Sequence, residues 1–539
     1  MKVQTAAEAT VDALLTNGVD TIYGVPGVHN DPLFDAFYAA GKQLRVLHAR
    51  HEQTGGYMAL GAALATGRPQ VFSVVPGPGA LNASAALLTA TSLGAPVVAL
   101  VGQIPEADID RGLGHLHEMR DQIGLLRHIT KSAERISAAH EAPGVVSRAF
   151  TTAINGRPGA TVIECAIDRW NASGPVAPAG PAGKTHPPVD RKKVEALAEL
   201  IRSSARPMIF VGGGARDAGP EVIELAELIE APIASFRTGR DVVASNHRLA
   251  INYPMAHRMW KDVDLVIGIG TRLLPQQQVW GTSGLKVARI DIDPTEPGRL
   301  RAPDAAVIGD AAEVLRALVD CLQGKLGPRP DRANEIAEMR AWMDQRLEQL
   351  EPQRSYLRAI RAALPDDGIL IDDVTQVEFA GRLAWETSGV PRTYFSPGYQ
   401  DNLGWAYGVA LGAKAAAPHR AVVCVAGDGG FMYQAQELAT AAAHGIAAIV
   451  VVFDNGMFGN VKLIQQLSYG SRHIAVELAN PDFVKFAESF DIDAYRAASP
   501  SELEDALKTA IQRDRPALIH VPVGDMPSPW DMILMPPVR

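Results

Sequence analysis

Cysteine is scarce. Three residues among 539, Cys165, Cys321 and Cys424, stand far apart in apolar surroundings. That spacing offers neither a disulfide framework nor a thiolate metal site, and it fits reduced, buried thiols in a cytosolic protein. Positive charge is also in deficit: 51 Lys and Arg against 60 Asp and Glu give a net charge of −9. A nucleic-acid-binding surface would be basic, so no nucleic-acid partner is expected. No uncharged apolar stretch is long enough to span a bilayer, and the first nine residues lack the basic-then-apolar order of a signal peptide. No membrane partner is expected, and the cytoplasm is the expected location.

What is present is ordinary globular material, 47% hydrophobic and 21% charged. At roughly 100–200 residues per domain, the chain should hold about three. A Pro-rich stretch from Ser173 to Pro188 reads as a linker, and Gly324 to Pro330 is a weaker boundary before a charged helix over 333–351. The expected domains are 1–172, 190–325 and 350–539.

The outer two resemble each other. Ala59-Leu60-Gly61-Ala62 recurs as Ala410-Leu411-Gly412-Ala413, an offset of 412 − 61 = 351. Apolar runs before Gly77-Pro78-Gly79 and Gly427-Asp428-Gly429 match, as do the helix and strand that follow each turn. Helix, strand, glycine turn, helix and strand in one order indicate an internal repeat. The fold class is therefore α/β, three doubly wound α/β domains with the outer two related by repeat. The middle domain is Rossmann-like: Pro207–Val211 runs into Gly212-Gly213-Gly214, with further strands over 264–270 and 286–293. Its glycines miss the dinucleotide fingerprint, so no nucleotide is assigned there.

Chemistry concentrates in the C-terminal copy. Asp428 and Asn455 are 455 − 428 = 27 positions apart, each at the end of an apolar run, with a helix expected over 435–443 between them. Parallel strands joined by such a crossover bring their carboxyl ends together, where ligands bind in open α/β sheets. Two hard oxygen donors beside a glycine turn suit Mg²⁺ carrying a phosphate ester. The first copy has Pro78 where the second has Asp428, so its role must differ.

Over essentially its whole length the chain resembles the thiamine diphosphate-dependent enzymes of the acetolactate synthase, benzoylformate decarboxylase and benzaldehyde lyase group. The motifs carrying the resemblance are Gly427-Asp428-Gly429 with Asn455, and Arg50-His51-Glu52-Gln53 followed by Ala59-Leu60-Gly61. The resemblance implies that Asp428 and Asn455 bind Mg²⁺ through side chains and Met457 through its carbonyl. It places the cofactor against Pro26, Asn82, Thr375, Gln376, Asp401, Leu403, Gly427, Gly429, Gly430, Phe458 and Gly459. Glu52 would hydrogen-bond the aminopyrimidine ring and favour the imino tautomer that takes the thiazolium C2 proton. Leu403 would wedge between the two rings. The family usually has Gly near the start of that segment, where Asp401-Asn402 stands here. His29, in Gly24-Val25-Pro26-Gly27-Val28-His29, falls where some lyases and decarboxylases relay protons. His115 and His117 fall where the family places another polar pocket residue. Histidine suits both tasks because it titrates near neutrality. Acetolactate synthases often carry Arg-Phe-Asp-Asp-Arg near their flavin; Arg272-Leu273-Leu274-Pro275-Gln276 departs from it, so FAD is not expected.

The expected activity is carbon–carbon bond making or breaking on 2-oxo acids, aldehydes or 2-hydroxyketones, as a carboligase or lyase. A simple 2-oxo acid decarboxylase is the alternative. A catalytically silent homologue is disfavoured by the presence of Glu52, Asp428 and Asn455. A nicotinamide oxidoreductase built on the middle domain is disfavoured by its missing fingerprint. Because the metal and the glutamate lie on different repeats, the family resemblance implies a homo-oligomer, dimer or tetramer, with sites at its interface.

Overall fold

The computed structural model describes residues 2–539. Its strands fall into three groups along the chain. The first comprises β1 (Lys2–Thr5), β2 (Thr21–Gly24), β3 (Arg45–His48), β4 (Gln70–Val74), β5 (Val97–Gln103), β6 (Ser132–Ile136), β7 (Thr161–Ala166) and β8 (Ser173–Val176). The second comprises β9 (Pro207–Val211), β10 (Ile233–Ser235), β11 (Ala250–Ile251), β12 (Leu265–Ile269), β13 (Lys286–Asp291) and β14 (Ala305–Ile308). The third comprises β15 (Ile369–Asp372), β16 (Tyr394–Phe395), β17 (Val422–Gly427), β18 (Ile449–Asp454), β19 (Asp493–Arg496) and β20 (Ala517–Pro522).

Three six-stranded parallel sheets result. The N-terminal sheet has the order β3-β2-β4-β5-β7-β6 and the C-terminal sheet the order β16-β15-β17-β18-β20-β19. Matched strand by strand, these are one topology, as the repeat requires. The middle sheet, β11-β10-β9-β12-β13-β14, has the Rossmann order. Continuously apolar strands such as β5, β17 and β18 give their sheets two buried faces. In the C-terminal sheet, Leu370, Val423, Val425 and Val451 join a core continuous with the middle domain. Ile371, Val422, Cys424, Val450 and Val452 face the other way, into a core shared with the N-terminal domain.

The recurring tetrapeptide has a steric cause. Helices Glu52–Thr66 and Ala406–Ala416 cross in contact. A Cβ on Gly61 would collide with the Val409 carbonyl, and one on Gly412 with the Met58 carbonyl. Since 409 − 58 is again 351, the two clashes are one contact seen from both sides of a local two-fold axis. Only glycine lets the backbones approach this closely.

One expectation needs correction. Ser173–Val176 is not linker: it pairs antiparallel with Lys2–Thr5, and a two-stranded ribbon tolerates Pro175. Residues 177–190 carry no helix or strand, in keeping with their proline content. The helix expected over 435–443 is present, a 3-10 turn Ala435–Glu437 running directly into the α-helix Leu438–His444, and a separate short helical turn, Asp428–Phe431, precedes it. Among the described residues, no helix is long and apolar enough to cross a membrane.

Candidate active site

Strand order reverses between β2 and β4 in the N-terminal sheet and between β15 and β17 in the C-terminal sheet. Ligands of open α/β sheets bind at such switch points. The middle sheet reverses between β9 and β12, but its own backbone fills that point. Gly214 N donates to Gly270 O at 3.1 Å, and a Cβ on Gly214 would meet Gly270 Cα at 2.8 Å.

At the C-terminal switch point, Asp428 follows β17 and is buried. Asn480 Nδ2 donates to Asp428 Oδ2 at 2.6 Å and to Asp454 Oδ1 at 2.9 Å. Two carboxylates thus converge on one electropositive group. Burial, and then the neighbouring Asp454 charge, raise the Asp428 carboxyl above its usual range, partly offset by the Asn480 and Gly429 donors. A divalent cation would relieve that strain, so the donor set fits Mg²⁺. His520 Nε2 bonds Asp454 Oδ2 at 2.9 Å and fixes the second carboxylate. The Asn455 amide nitrogen and Gln376 Nε2 both lie against Gly459, 3.0 and 2.9 Å from where its Cβ would be. The Met457 carbonyl accepts from Gly459 N at 3.0 Å, leaving one lone pair.

The turn is cradled rather than open to side chains. A Cβ on Gly429 would meet the Phe458 ring at 2.6 Å, and one on Gly430 would meet Leu403 Cδ1 at 3.1 Å. Thr375 Oγ1 lies 3.3 Å from the same position on Gly427. Leu403 therefore reaches over the glycine turn. Asp373 holds it there: its carboxylate accepts from Gly404 N at 2.8 Å and from Val374 N at 2.8 Å, and burial pushes its pKa up to about 6.

The N-terminal switch point gathers Glu52, Asn82, His29 and His117. Glu52 opens its helix behind the cap residue His51, and its Oε2 accepts from Asn82 Nδ2 at 3.0 Å. The turn Gly77-Pro78-Gly79 connects the group. A Cβ on Gly79 would lie 3.6 Å from Glu52 Cγ, and one on Gly77 would meet the His117 carbonyl oxygen at 2.5 Å. The rings of His29 and His117 are 5.2 Å apart, and each keeps a buried Nδ1 without a partner. Burial, then the adjacent His117, lower the His29 pKa, so a neutral imidazole is favoured. Pro26 follows β2 in the same loop, which Asn30 pins by donating to Val74 O at 2.6 Å.

His115 stands apart from this pair, bonded through Nε2 to Asp108 at 3.0 Å. Glu52 makes no described contact with the Asp428 group: each half of the site stands at the end of its own sheet. The repeat places Leu403 at the position that Glu52 holds in the first copy, since 403 − 52 = 351.

Sequence reasoning missed Asn480, Asp454, Asp373 and His520, and on the other side Gln122, Glu164 and Glu118. Buried Gln122 accepts from Gly77 N at 2.8 Å and donates to buried Glu164 at 2.8 Å, anchoring the glycine turn. Glu118 accepts from Gly112 N at 2.8 Å and His115 N at 2.9 Å, shaping the loop that carries His117. Signals existed for three of them: Asp454 stands beside Asn455, Asp373 opens the segment that runs through Thr375 and Gln376, and Glu118 follows His117.

Comparison with known proteins agrees with this geometry. Three family models match: the thiamine pyrophosphate enzyme N-terminal binding domain over 4–125, the central domain over 194–318 and the C-terminal binding domain over 373–521. A probable acetolactate synthase large subunit of Methanocaldococcus jannaschii is 32% identical, over 96% of this chain and 91% of its own length. An acetolactate synthase of Arthrospira platensis is 30% identical, over 96% and 94%. A probable 2-ketoarginine decarboxylase of Pseudomonas aeruginosa is also 30% identical, over 96% and 94%. The chain belongs to the thiamine pyrophosphate-dependent enzyme family.

Proposed function

We propose that the protein is a thiamine diphosphate- and Mg²⁺-dependent carboligase or lyase acting on 2-oxo acids or 2-hydroxyketones. The observation that carries the reading is the convergence of Asp428 and Asp454 on Asn480 Nδ2, at a turn whose other three residues are glycines. Asp428, Asn455 and the Met457 carbonyl would hold the metal, and the Gly427–Gly430 turn the diphosphate. When bound, the cofactor supplies a carbon nucleophile that adds to a carbonyl and accepts the electron pair released when a bond to that carbon breaks. The Glu52 carboxyl would hydrogen-bond a pyrimidine nitrogen and orient the ring, with Asn82 fixing the carboxyl by donating to its Oε2. Leu403, packed over the glycine turn, would fill space beside the bound cofactor, a positioning effect. His29 and His117, with a free nitrogen each, move protons to and from substrate oxygen and carbon.

A simple decarboxylase is the second reading. It is favoured by the His29–His117 pair, which suits protonation of product carbon, and by the 2-ketoarginine decarboxylase relative. The site completes itself between two copies of the chain. In support, large apolar side chains are exposed around both halves: Val28 at 57% and Leu116 at 61% near Glu52, Leu467 at 74% and Ile474 at 76% beyond Phe458. A cytoplasmic setting accords with three unpaired thiols. Screening 2-oxo acids and hydroxyketones, with carbon dioxide and organic product both measured, decides the reaction. Carbon dioxide with an aldehyde as the sole product would support the decarboxylase; a coupled hydroxyketone would support the carboligase. No turnover of either class with thiamine diphosphate and Mg²⁺ present would refute both.

A further inference from the structure

The segment that carries Leu403 is fixed residue by residue. Asp401 sits at φ +45°, a left-handed conformation that costs a side-chain-bearing residue free energy. Its carboxylate is gripped from two sides. Oδ1 accepts from Arg382 Nη2 at 2.8 Å, and Oδ2 accepts from Arg237 Nη2 at 2.9 Å. Arg237 also bonds the carbonyl of Gly398, at the start of the same loop. Asn402 donates to the Tyr57 hydroxyl on the helix that begins with Glu52. Leu403 lies on Gly430, and Gly404 N is bound to Asp373.

The two arginines come from different places. Arg382, wholly buried, belongs to the helix Gln376–Ala384, which starts at the Thr375-Gln376 end of the cofactor turn. It is also paired with buried Glu378, so two carboxylates share its charge. Arg237 belongs to the middle domain, in the 3-10 segment Arg237–Val242 after β10. Arg240 of that segment donates to the Arg382 carbonyl at 2.8 Å, a second tie between the same two elements. Two arginines and two carboxylates balance in charge, which a partly buried network requires.

We propose that Asp401, held between Arg382 and the middle-domain Arg237, is a positioning residue that sets Leu403 against the cofactor rings and makes cofactor geometry depend on middle-domain docking. The proposal rests on the thiamine diphosphate reading of the site. A glycine at 401 would adopt the same backbone angle but would leave the loop mobile; the clamp supplies order at the cost of a strained angle. The middle domain thereby acts on the site through its docking.

The test is a double-mutant cycle on the full-length protein with Arg237→Ala, Asp401→Gly and the pair. Hydrogen exchange of the backbone amides of 399–405, measured without cofactor, reports the loop directly. Thiamine diphosphate affinity by calorimetry, and the exchange rate of its C2 proton, report the cofactor. With Asp401 present, Arg237→Ala should speed amide exchange about tenfold, as expected for losing a charge-assisted hydrogen bond, and slow C2 exchange several-fold. In the Asp401→Gly background, where only the Arg237 bond to the Gly398 carbonyl remains to be lost, it should change both by less than twofold. Equal effects of Arg237→Ala in both backgrounds would overturn the clamp, as would unchanged exchange at 399–405. Wild-type protein that fails to bind thiamine diphosphate with Mg²⁺ would instead overturn the functional reading, and with it the cofactor half of the proposal. The amide-exchange cycle would still decide the clamp itself.

Discussion

The crossing of helices Glu52–Thr66 and Ala406–Ala416 gives a sharp prediction, because one methyl group should disturb it. In Gly61→Ala the new Cβ would stand 2.9 Å from Val409 Cα, with the carbonyl oxygen nearer still, where ordinary contact begins at 3.4 Å. Both neighbours are backbone, so nothing can rotate away. The helices must part by about 1 Å along a crossing that joins two domains. Overpacking of this kind costs roughly 3 kcal/mol. Unfolding entropy of ~2.1 cal/mol/K per residue over 539 residues is about 1.1 kcal/mol/K, so the loss corresponds to about 3 °C in Tm. Gly412→Ala should cost a similar amount, since it is the same contact from the other side. The double variant should cost less than the sum, because helices already parted accommodate the second methyl. Scanning calorimetry of cofactor-free protein measures all three, with Gly298→Ala, where a Cβ meets nothing within 4 Å, as control. Either single variant unfolding within 0.5 °C of the control would refute the close crossing; strict additivity would refute the shared contact.

Other predictions concern the site. Asn480→Leu removes the donor shared by Asp428 and Asp454, so Mg²⁺ should raise the Tm of the variant by more than that of wild type; equal shifts would count against convergence of the carboxylates. Asp373, with a folded pKa of about 6, binds its proton more tightly folded than unfolded. Its burial therefore costs nothing below about pH 4 and about 3 kcal/mol above about pH 6.5. The Tm of Asp373→Asn relative to wild type should accordingly improve from pH 4.5 to pH 7.5, and no change would contradict the burial argument. His29→Ala should lower kcat about 100-fold while leaving thiamine diphosphate affinity within threefold, whereas His115→Ala, tied to Asp108, should lower kcat less than threefold. Equal losses in the two variants would remove the case for the His29–His117 pair.

What was legible in the sequence was whatever is periodic or local. The apolar runs of β17 and β18 and the glycine turn after β17 placed Asp428 and Asn455 at neighbouring strand ends, and the 351-residue offset exposed the repeat. Chain order also placed Glu52 at a helix start. Groups assembled by tertiary contact were illegible. Asn480 lies 52 positions beyond Asp428 in a stretch without motif, yet it bridges the two acids. Arg237 and Asp401 are 164 positions apart and meet only because the middle domain docks on the C-terminal one. Strand β8 has the proline content of a linker; only its partner, β1, makes it a strand.

The central claim is that Glu52 and the Asp428 group serve one cofactor, though they stand on different sheets. Exchange of the thiamine diphosphate C2 proton in Glu52→Gln protein tests it most directly. Affinity for thiamine diphosphate with Mg²⁺ should stay within about threefold of wild type, while C2 exchange slows by about 100-fold or more. Exchange at the wild-type rate with cofactor fully bound would contradict it.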